Sequence, residues 1–181
     1  MNNYIQIYKN VIDDEYCDEL IDKFEIESNK ETYDQGPMSF TQVNLNKNKW
    51  QSDIERLSKV FSNSLEQYKR DCVITEQMWP KRYTFEEIRL KKYLPNNKDR
   101  FDPHVDSINI ESAKRFLVFF IYLDDNKKGE TNFTQLGLAS PCKKGSLLMF
   151  PPLWPWLHQG MKPIDKPKYM IGSYLHYTLD N

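Results

Sequence analysis

The sequence predicts a mainly β fold supported by N-terminal helices, and three observations favour this class. Two segments in the N-terminal third have the apolar spacing of amphipathic helices. Beyond "MWPKRYTF" the chain changes to short runs rich in aromatic and branched residues, separated by Pro, Gly and Asn. Aromatic residues make up 14% of the chain, which suits a β-rich fold. Helices followed by many short strands favour an antiparallel β-sandwich packed against those helices.

The N-terminal part is predicted to hold one short strand and two helices. "YIQIY" is typical of a strand, and the segment after it has Tyr16, Leu20 and Phe24 at helical spacing, with Asp13 as the N-cap. Residues 28–48 are polar and rich in turn residues, so we expect a loop there. A second amphipathic helix is predicted from Trp50 to Tyr68.

The rest of the chain is predicted to form strands. The candidate strands in chain order are "EIRLKKYL", "HVDSINI", "RFLVFFIYL", "TNFTQL", "GSLLMF" and "YMIGSYLHY". The third of these is almost entirely apolar, which predicts a strand buried on both faces. We therefore expect a single domain over 1–181, with a helical support region over 1–85 and a β core over 86–178.

Charge and composition exclude several functional classes. The chain has 25 basic and 26 acidic residues, and this balance argues against a nucleic-acid-binding protein, which needs a basic surface. No apolar stretch is long enough for a membrane span, and the N-terminus lacks the pattern of a secretory signal. Cys17, Cys72 and Cys142 are odd in number and far apart, which predicts reduced thiols in a cytoplasmic protein.

Two of the three histidines form a candidate metal site with a nearby carboxylate. His104 and Asp106 lie two residues apart, so in a strand they would point to the same face, and His158 follows at the far end of the β-rich half. Two imidazoles and one carboxylate on one side of a metal leave the opposite positions open, as in non-haem Fe(II) oxygenases. A zinc hydrolase can use the same ligand types, and a polar loop pair is the alternative without a metal.

A lysine beyond His158 adds a second chemical feature. Lys168 stands at the head of the apolar final strand, where a buried ammonium would need an anion. It can pair with the far carboxylate of a dicarboxylic cosubstrate whose other end chelates iron. The alternative is a solvated residue at a strand edge. Arg89 and Lys91, which share a strand face with Tyr93 at period two, are the other candidates for cosubstrate binding.

With these residues in place, the chain resembles the prolyl 4-hydroxylase-like 2-oxoglutarate/Fe(II)-dependent dioxygenases over roughly residues 86–178. Five segments stand in the family's order: "RLKKYLPNNKDRFDPHVD", "FLVFFIYLDDNKKGETNF", "KKGSLLMFPP", "LHQG" and "KYMIGSYLHY". The resemblance implies a double-stranded β-helix core, of the jelly-roll or cupin-like kind. Where the family has a pair of small residues, this chain has Lys128-Gly129, and we expect that difference to alter only loop geometry.

The resemblance also implies a role for each candidate residue. His104, Asp106 and His158 would ligate Fe(II), and Lys168 would pair with the C5 carboxylate of 2-oxoglutarate. Tyr93 would donate a hydrogen bond to the cosubstrate, Thr131 would lie near it, and Tyr174 would face the substrate. The implied cofactors are Fe(II), 2-oxoglutarate and O2, with ascorbate as a reductant that could stimulate turnover.

The activity implied is hydroxylation of an unactivated C–H bond, coupled to decarboxylation of 2-oxoglutarate to succinate. A carboxylate at Asp106 favours hydroxylation over halogenation, because a halide would need that coordination position. By analogy to the family, a peptidyl proline is the expected substrate. A free amino acid or another small molecule, a non-catalytic jelly-roll binding module and a zinc hydrolase remain alternatives, and the oligomeric state is open.

Overall fold

The computed structural model describes residues 4–47 and 49–178, and within them the chain forms two α-helices and twelve β-strands. The helices are α1 (Asp14–Ile26) and α2 (Gln51–Asp71). The strands are β1 (Gln6–Tyr8), β2 (Glu31–Gln35), β3 (Met38–Asn44), β4 (Tyr83–Phe85), β5 (Arg89–Tyr93), β6 (Arg100–His104), β7 (Arg115–Tyr122), β8 (Asn126–Phe133), β9 (Leu138–Cys142), β10 (Leu147–Phe150), β11 (His158–Gly160) and β12 (Lys168–Tyr177).

All twelve strands join one antiparallel sheet that curls towards a barrel. The order along the sheet is β1-β10-β7-β12-β5-β3-β6-β11-β8-β9, with β2 paired to β3 and β4 paired to β12. Strands far apart in sequence are therefore neighbours, as in a jelly roll. The predicted class, mainly β with N-terminal helices and a double-stranded β-helix core, is confirmed.

Both faces of the central strands are buried, which explains their near-continuous apolar sequence. Alternate residues of β7 point to opposite faces: Phe119 and Ile121 pack under the helices, whereas Phe120 and Tyr122 pack inside the roll. β10 and β12 divide in the same way. The roll interior is the half of the core that surrounds the candidate metal ligands.

The helices cover the outer face of the sheet. Asp13 caps α1 as predicted, because its Oδ1 accepts a hydrogen bond from the Tyr16 backbone N–H at 2.7 Å. The ring of Phe61 on α2 contacts those of Phe85 and Phe119, with centroids 5.9 and 5.1 Å apart. Burying a side chain of this size contributes about 1.5–3 kcal/mol. The two helices therefore cover the outer face of the sheet, and the candidate site lies on the opposite, inner face.

The prediction of a loop over 28–48 is wrong. This segment forms the β2–β3 hairpin, in which Gly36 has a φ of +54°, a left-handed conformation that favours glycine. Most residues of β2 (ETYDQ) and more than half of those of β3 (MSFTQVN) are polar, so the composition of the hairpin resembles that of a loop. The residues over 1–85 therefore contribute β1, β2, β3 and β4 to the sheet besides the helices. Asn48 lies outside the described residues.

The prediction of a strand over "HVDSINI" is also wrong. β6 ends at His104, and the chain then forms a loop stabilised by Ser112, whose hydroxyl accepts hydrogen bonds from the backbone N–H groups of Ile108 and Asn109. Asp106 therefore does not share a strand face with His104. It reaches the same place because the chain turns after β6, as the site geometry shows.

Two further expectations concern the cysteines and membranes. Cys17, Cys72 and Cys142 are all buried, and both the reduced state of the thiols and the cytoplasmic location stay predictions. Within the described ranges, neither helix combines the length and the apolar character needed to cross a membrane.

Candidate metal centre

The pairing of β6 with β11 brings the two candidate histidine ligands together. His104 and His158 are partners in this antiparallel pair, and their ring centroids are 4.3 Å apart. Directly opposed residues of an antiparallel pair have their side chains on the same face. The register of two short strands therefore produces a bis-imidazole site from residues far apart in sequence.

Asp106 completes the site from the loop after β6. Its Oδ1 lies 3.7 Å from His104 Nε2, and its Oδ2 lies 3.4 Å from His158 Nε2. One ligand atom from each residue lies within 4.8 Å of the others, a separation that one metal ion can bridge. The predicted grouping of His104, Asp106 and His158 is thus present in the structure.

Backbone carbonyls orient both imidazoles. His104 Nδ1 lies 2.7 Å from the carbonyl oxygen of Asp102, and His158 Nδ1 lies 3.1 Å from that of Trp156. A proton on each Nδ1 satisfies these carbonyls and leaves Nε2 as the lone-pair donor, which is the usual arrangement of a metal-binding histidine. Phe101 stacks on His104 with ring centroids 3.5 Å apart and limits its rotation.

The protonation states and unpaired atoms of these side chains fit a cation. Asp106 Oδ2 and His158 Nε2 are buried, and in the described part of the chain neither has a hydrogen-bond partner. Burial lowers the pKa of His158 to about 4, so this imidazole is neutral at physiological pH. Burial alone would raise the pKa of Asp106, but its contacts with His104 and His158 lower it to about 2. A neutral imidazole and a carboxylate are the metal-binding forms.

Tyr174 and Arg115 hold Asp106 in place. The Tyr174 hydroxyl donates a hydrogen bond to Asp106 Oδ1 at 2.9 Å, and burial raises its pKa, so it remains a donor. The Arg115 guanidinium lies 4.1 Å from the centroid of the Tyr174 ring. Glu86 fixes that guanidinium through two hydrogen bonds of 2.8 Å. The network contacts Asp106 through Oδ1, so Oδ2, which has no hydrogen-bond partner among the described residues, faces the histidines.

Lys168 lies inside the roll without a carboxylate partner. Its side chain is 1% exposed, and no ion pair to it exists among residues 4–47 and 49–178. Its ammonium lies 5.5 Å from the ring centroids of both Tyr93 and Tyr122, and burial lowers its pKa. The alternative of a solvated edge residue is therefore wrong. A buried ammonium between aromatic rings is costly in the absence of an anion.

A narrow cavity of about 20 Å³ connects Lys168 with the histidines. Its lining includes Tyr93, Thr131, Lys168 and both His104 and His158. Tyr93 is the cross-strand partner of Lys168, and the Thr131 hydroxyl accepts a hydrogen bond from Tyr122 at 2.7 Å. The structure thus brings the predicted cosubstrate residues together beside the candidate ligands, while their roles stay predictions.

The absence of a side chain at Gly129 leaves room for the side chain of Lys168, and nothing in the sequence indicated this contact. A Cβ at this position would lie 3.0 Å from Lys168 Cδ and 3.1 Å from Asn126 Cβ. A larger residue at Gly129 would press on the lysine stem, whereas the expected effect of Lys128 on loop geometry stays a prediction.

A second cavity of about 510 Å³ opens beside the candidate ligands His104 and Asp106. The β2–β3 hairpin lines it through Tyr33, Met38 and Phe40, and Tyr174 lines it from β12. The substrate role expected for Tyr174 stays a prediction, since its hydroxyl is engaged by Asp106. Sequence reasoning missed the hairpin, although the "DQGPM" turn was the signal that could have revealed it.

Replacing Tyr174 by Phe is expected to weaken metal binding. The change removes the hydrogen bond to Asp106 while keeping the ring, so the carboxylate loses its orienting donor. Outer-shell partners of this kind typically contribute about 10–100-fold to metal affinity. We expect a dissociation constant for Co(II) higher by roughly tenfold, measured by titration of its visible absorption bands.

Tyr177→Phe is the matched control, because Tyr177 lies on the same strand but is 50% exposed. This variant should bind Co(II) as the unmodified protein does. Equal affinities in the two variants would show that the hydrogen bond to Asp106 does not support the metal site.

Comparisons with known proteins find similarity in fold rather than in sequence. No protein-family model matches the chain, and no curated protein matches it in sequence. Similar solved structures include a viral collagen prolyl hydroxylase from Paramecium bursaria Chlorella virus-1 in complex with 2-oxoglutarate. It has a TM-score of 0.74 and 19% identity, and the match covers 97% of both chains.

Two other solved structures extend the comparison. A prolyl hydroxylase from Trichoplax adhaerens, in complex with a peptide fragment of hypoxia-inducible factor, has a TM-score of 0.73 and 13% identity over 97% of this chain and 84% of the other. A non-haem α-ketoglutarate-dependent epimerase of nogalamycin biosynthesis has a TM-score of 0.59 and 13% identity over 96% and 78%. The chain therefore has the fold of 2-oxoglutarate-dependent oxygenases, a group that includes prolyl hydroxylases.

Proposed function

We propose that this protein is a 2-oxoglutarate- and Fe(II)-dependent oxygenase that hydroxylates an unactivated C–H bond, most simply that of a peptidyl proline. The observation that carries the proposal is the buried, unpaired Lys168, which lines the same narrow cavity as His104 and His158. A metal site alone is compatible with several reactions. A metal site joined to a buried cation calls for a ligand with an anionic far end.

The positions of the side chains suggest which residues would bind the metal and which would bind the cosubstrate. His104, Asp106 and His158 would hold Fe(II) from one side, where the orphaned Oδ2 and Nε2 atoms lie. Bound Fe(II), 2-oxoglutarate and O2 would supply the oxidising chemistry. Lys168 would neutralise the C5 carboxylate of the cosubstrate, and Tyr93, whose pKa burial raises, would remain a hydrogen-bond donor beside it.

Aromatic side chains would keep the reacting centre dry and fixed. Phe150 contacts His158 edge-on with ring centroids 4.7 Å apart, and Phe133 lies 5.9 Å from the same ring. Phe101 shields the other imidazole by stacking. Excluding water strengthens the electrostatic interactions inside a site and limits side reactions of the oxidant.

The alternatives account for less of the site. A zinc hydrolase would use the same ligands but leaves the buried Lys168 without a role. A non-catalytic binding module has no need for an oriented pair of histidines and a hydrogen-bonded carboxylate at the base of a cavity. The preference for a prolyl peptide rests on the prolyl hydroxylases among similar structures and on the open cavity beside the ligands.

The direct test is an anaerobic titration of the protein with Fe(II) and 2-oxoglutarate. We expect the weak visible metal-to-ligand absorption of the chelate, and then succinate after O2 is admitted, with a +16 Da product when a proline-containing peptide is supplied. His158→Ala, which removes one ligand, should show neither signal. Absence of both signals in folded, metal-loaded protein would contradict the proposal.

Lys168→Met is expected to weaken 2-oxoglutarate binding while sparing iron. Methionine keeps a stem of similar length between Tyr93 and Tyr122 but lacks the charge. A hydrogen bond to a charged group contributes about 1.5–3 kcal/mol, which corresponds to roughly 10–100-fold in affinity. The measurement is the 2-oxoglutarate dependence of the anaerobic absorption, with Fe(II) affinity determined separately.

Lys166→Met is the control, because Lys166 is exposed and paired with Asp124 at 2.7 Å. It should leave the 2-oxoglutarate affinity unchanged. If Lys168→Met also leaves it unchanged, the cosubstrate's far carboxylate is bound elsewhere and the assignment of Lys168 fails.

A further inference from the structure

Lys91 is a second cation beside the candidate site, half-buried, that the proposed cosubstrate does not account for. It lies on β5 two residues before Tyr93, so both side chains point into the roll. Lys91 lines the narrow cavity of Lys168 and also the cavity of about 510 Å³ beside Asp106. Lys91 therefore lies between the narrow cavity, where the cosubstrate is proposed to bind, and the open cavity beside Asp106.

Apart from Lys168, three other cations near Lys91 have carboxylate partners. Arg89, which lines the same open cavity, pairs with Glu87 at 2.9 Å, and the guanidinium of Arg115 is fixed by Glu86. Lys92, on the opposite face of β5, pairs with Glu25 at 2.9 Å. Each of these charges is thus balanced within the chain.

Lys91 has no such partner. Its ammonium lies over two aromatic rings, 4.7 Å from the centroid of Phe40 and 5.8 Å from that of Phe101, and no carboxylate within residues 4–47 and 49–178 pairs with it. Burial lowers its pKa to about 8, although the negative charge of Asp106 opposes the shift. The group remains largely charged at neutral pH, and aromatic faces stabilise it only in part.

Neither carboxylate of 2-oxoglutarate nor that of Asp106 would be available to balance the charge of Lys91. 2-Oxoglutarate has two carboxylates, of which one would chelate the metal with the keto oxygen and the other would pair with Lys168. Asp106 would be neutralised by the metal. An ammonium that is half removed from water and has no carboxylate partner is stabilised by an anion, and the molecule that fills the open cavity can supply one.

We propose that Lys91 binds a carboxylate of the primary substrate, so that the enzyme selects carboxylate-bearing substrates; this inference rests on the proposed function. The carboxylate belongs either to a free amino or imino acid or to an acidic residue of a peptide next to the reacting position. In both cases Lys91 is a specificity-determining residue that orients the substrate against the metal.

The test uses matched acid and amide probes on protein loaded with Zn(II) and 2-oxoglutarate, which binds ligands without turnover. One arm compares each free amino acid with its amide, L-proline and L-prolinamide included. The other arm compares acetyl-Pro-Glu-amide with acetyl-Pro-Gln-amide, and acetyl-Glu-Pro-amide with acetyl-Gln-Pro-amide. Ligand-observed NMR gives the dissociation constants, and the arm that shows the preference identifies the source of the carboxylate.

We expect the acid member of at least one pair to bind about 10–100-fold more tightly than its amide. Lys91→Met should abolish this preference, whereas Lys92→Met, the adjacent control on the opposite face, should keep it. Lys91→Gln, a polar uncharged variant, should behave like Lys91→Met. The 2-oxoglutarate affinity should be unchanged in all three variants, which also shows that they are folded.

Three outcomes would overturn the inference: no acid member binds better than its amide, the preference survives in Lys91→Met, or Lys91→Met loses affinity for 2-oxoglutarate instead. The last would assign Lys91 to the cosubstrate. Failure of the proposed function is distinguishable, because it appears as a missing Fe(II)–2-oxoglutarate absorption in the unmodified protein, whatever the acid and amide probes show.

Discussion

The antiparallel pairing of β6 with β11 is the interaction on which the site depends. It places His104 opposite His158, and the chain turn after β6 then brings Asp106 within 3.4 Å of the second imidazole. Because β11 has only three residues, its position depends on its neighbours, β6 on one side and β8 on the other. A shift of one residue in this pairing would turn one imidazole to the opposite face.

The roll interior is unusual because it holds polar groups that no other residue of the described ranges satisfies. Asp106 Oδ2, His158 Nε2 and the ammonium groups of Lys91 and Lys168 all lie in or beside two neighbouring cavities. Leaving such groups without partners lowers the free energy of unfolding, and well-packed cores avoid it. In the proposed function, ligands would complete the site: a metal ion would bind Asp106 Oδ2 and His158 Nε2, and anions would pair with the two lysines.

The chemistry of the site was predictable from the sequence, whereas much of its geometry was not. His104, Asp106, His158 and Lys168 could be recognised by residue type and order along the chain, and the apolar pattern of β7 revealed a strand buried on both faces. The basis for grouping His104 with Asp106 was nevertheless wrong, because β6 ends at His104 and a loop brings the carboxylate back. Period-two spacing indicates a shared face only while the strand continues.

Other features depended on contacts that no local pattern contains. Most residues of the β2–β3 hairpin are polar, so its composition looked like that of a loop, whereas three of its few apolar residues, Tyr33, Met38 and Phe40, line a cavity. Arg89 and Lys91 were equivalent in the sequence, and only the position of Glu87 shows that one is paired and the other is free. The space that Gly129 leaves for Lys168 likewise depends on the pairing of distant strands.

The central proposal is that a metal site formed by His104, Asp106 and His158 lies beside a buried lysine that binds the cosubstrate's far carboxylate. A crystal structure of the protein with Mn(II) and 2-oxoglutarate, grown without O2, tests it most directly, because anomalous scattering locates the metal. The account predicts one ion bonded to His104, Asp106 and His158, and the C5 carboxylate of 2-oxoglutarate within hydrogen-bond distance of Lys168 Nζ. An ion bound elsewhere, or 2-oxoglutarate absent from Lys168, would contradict it.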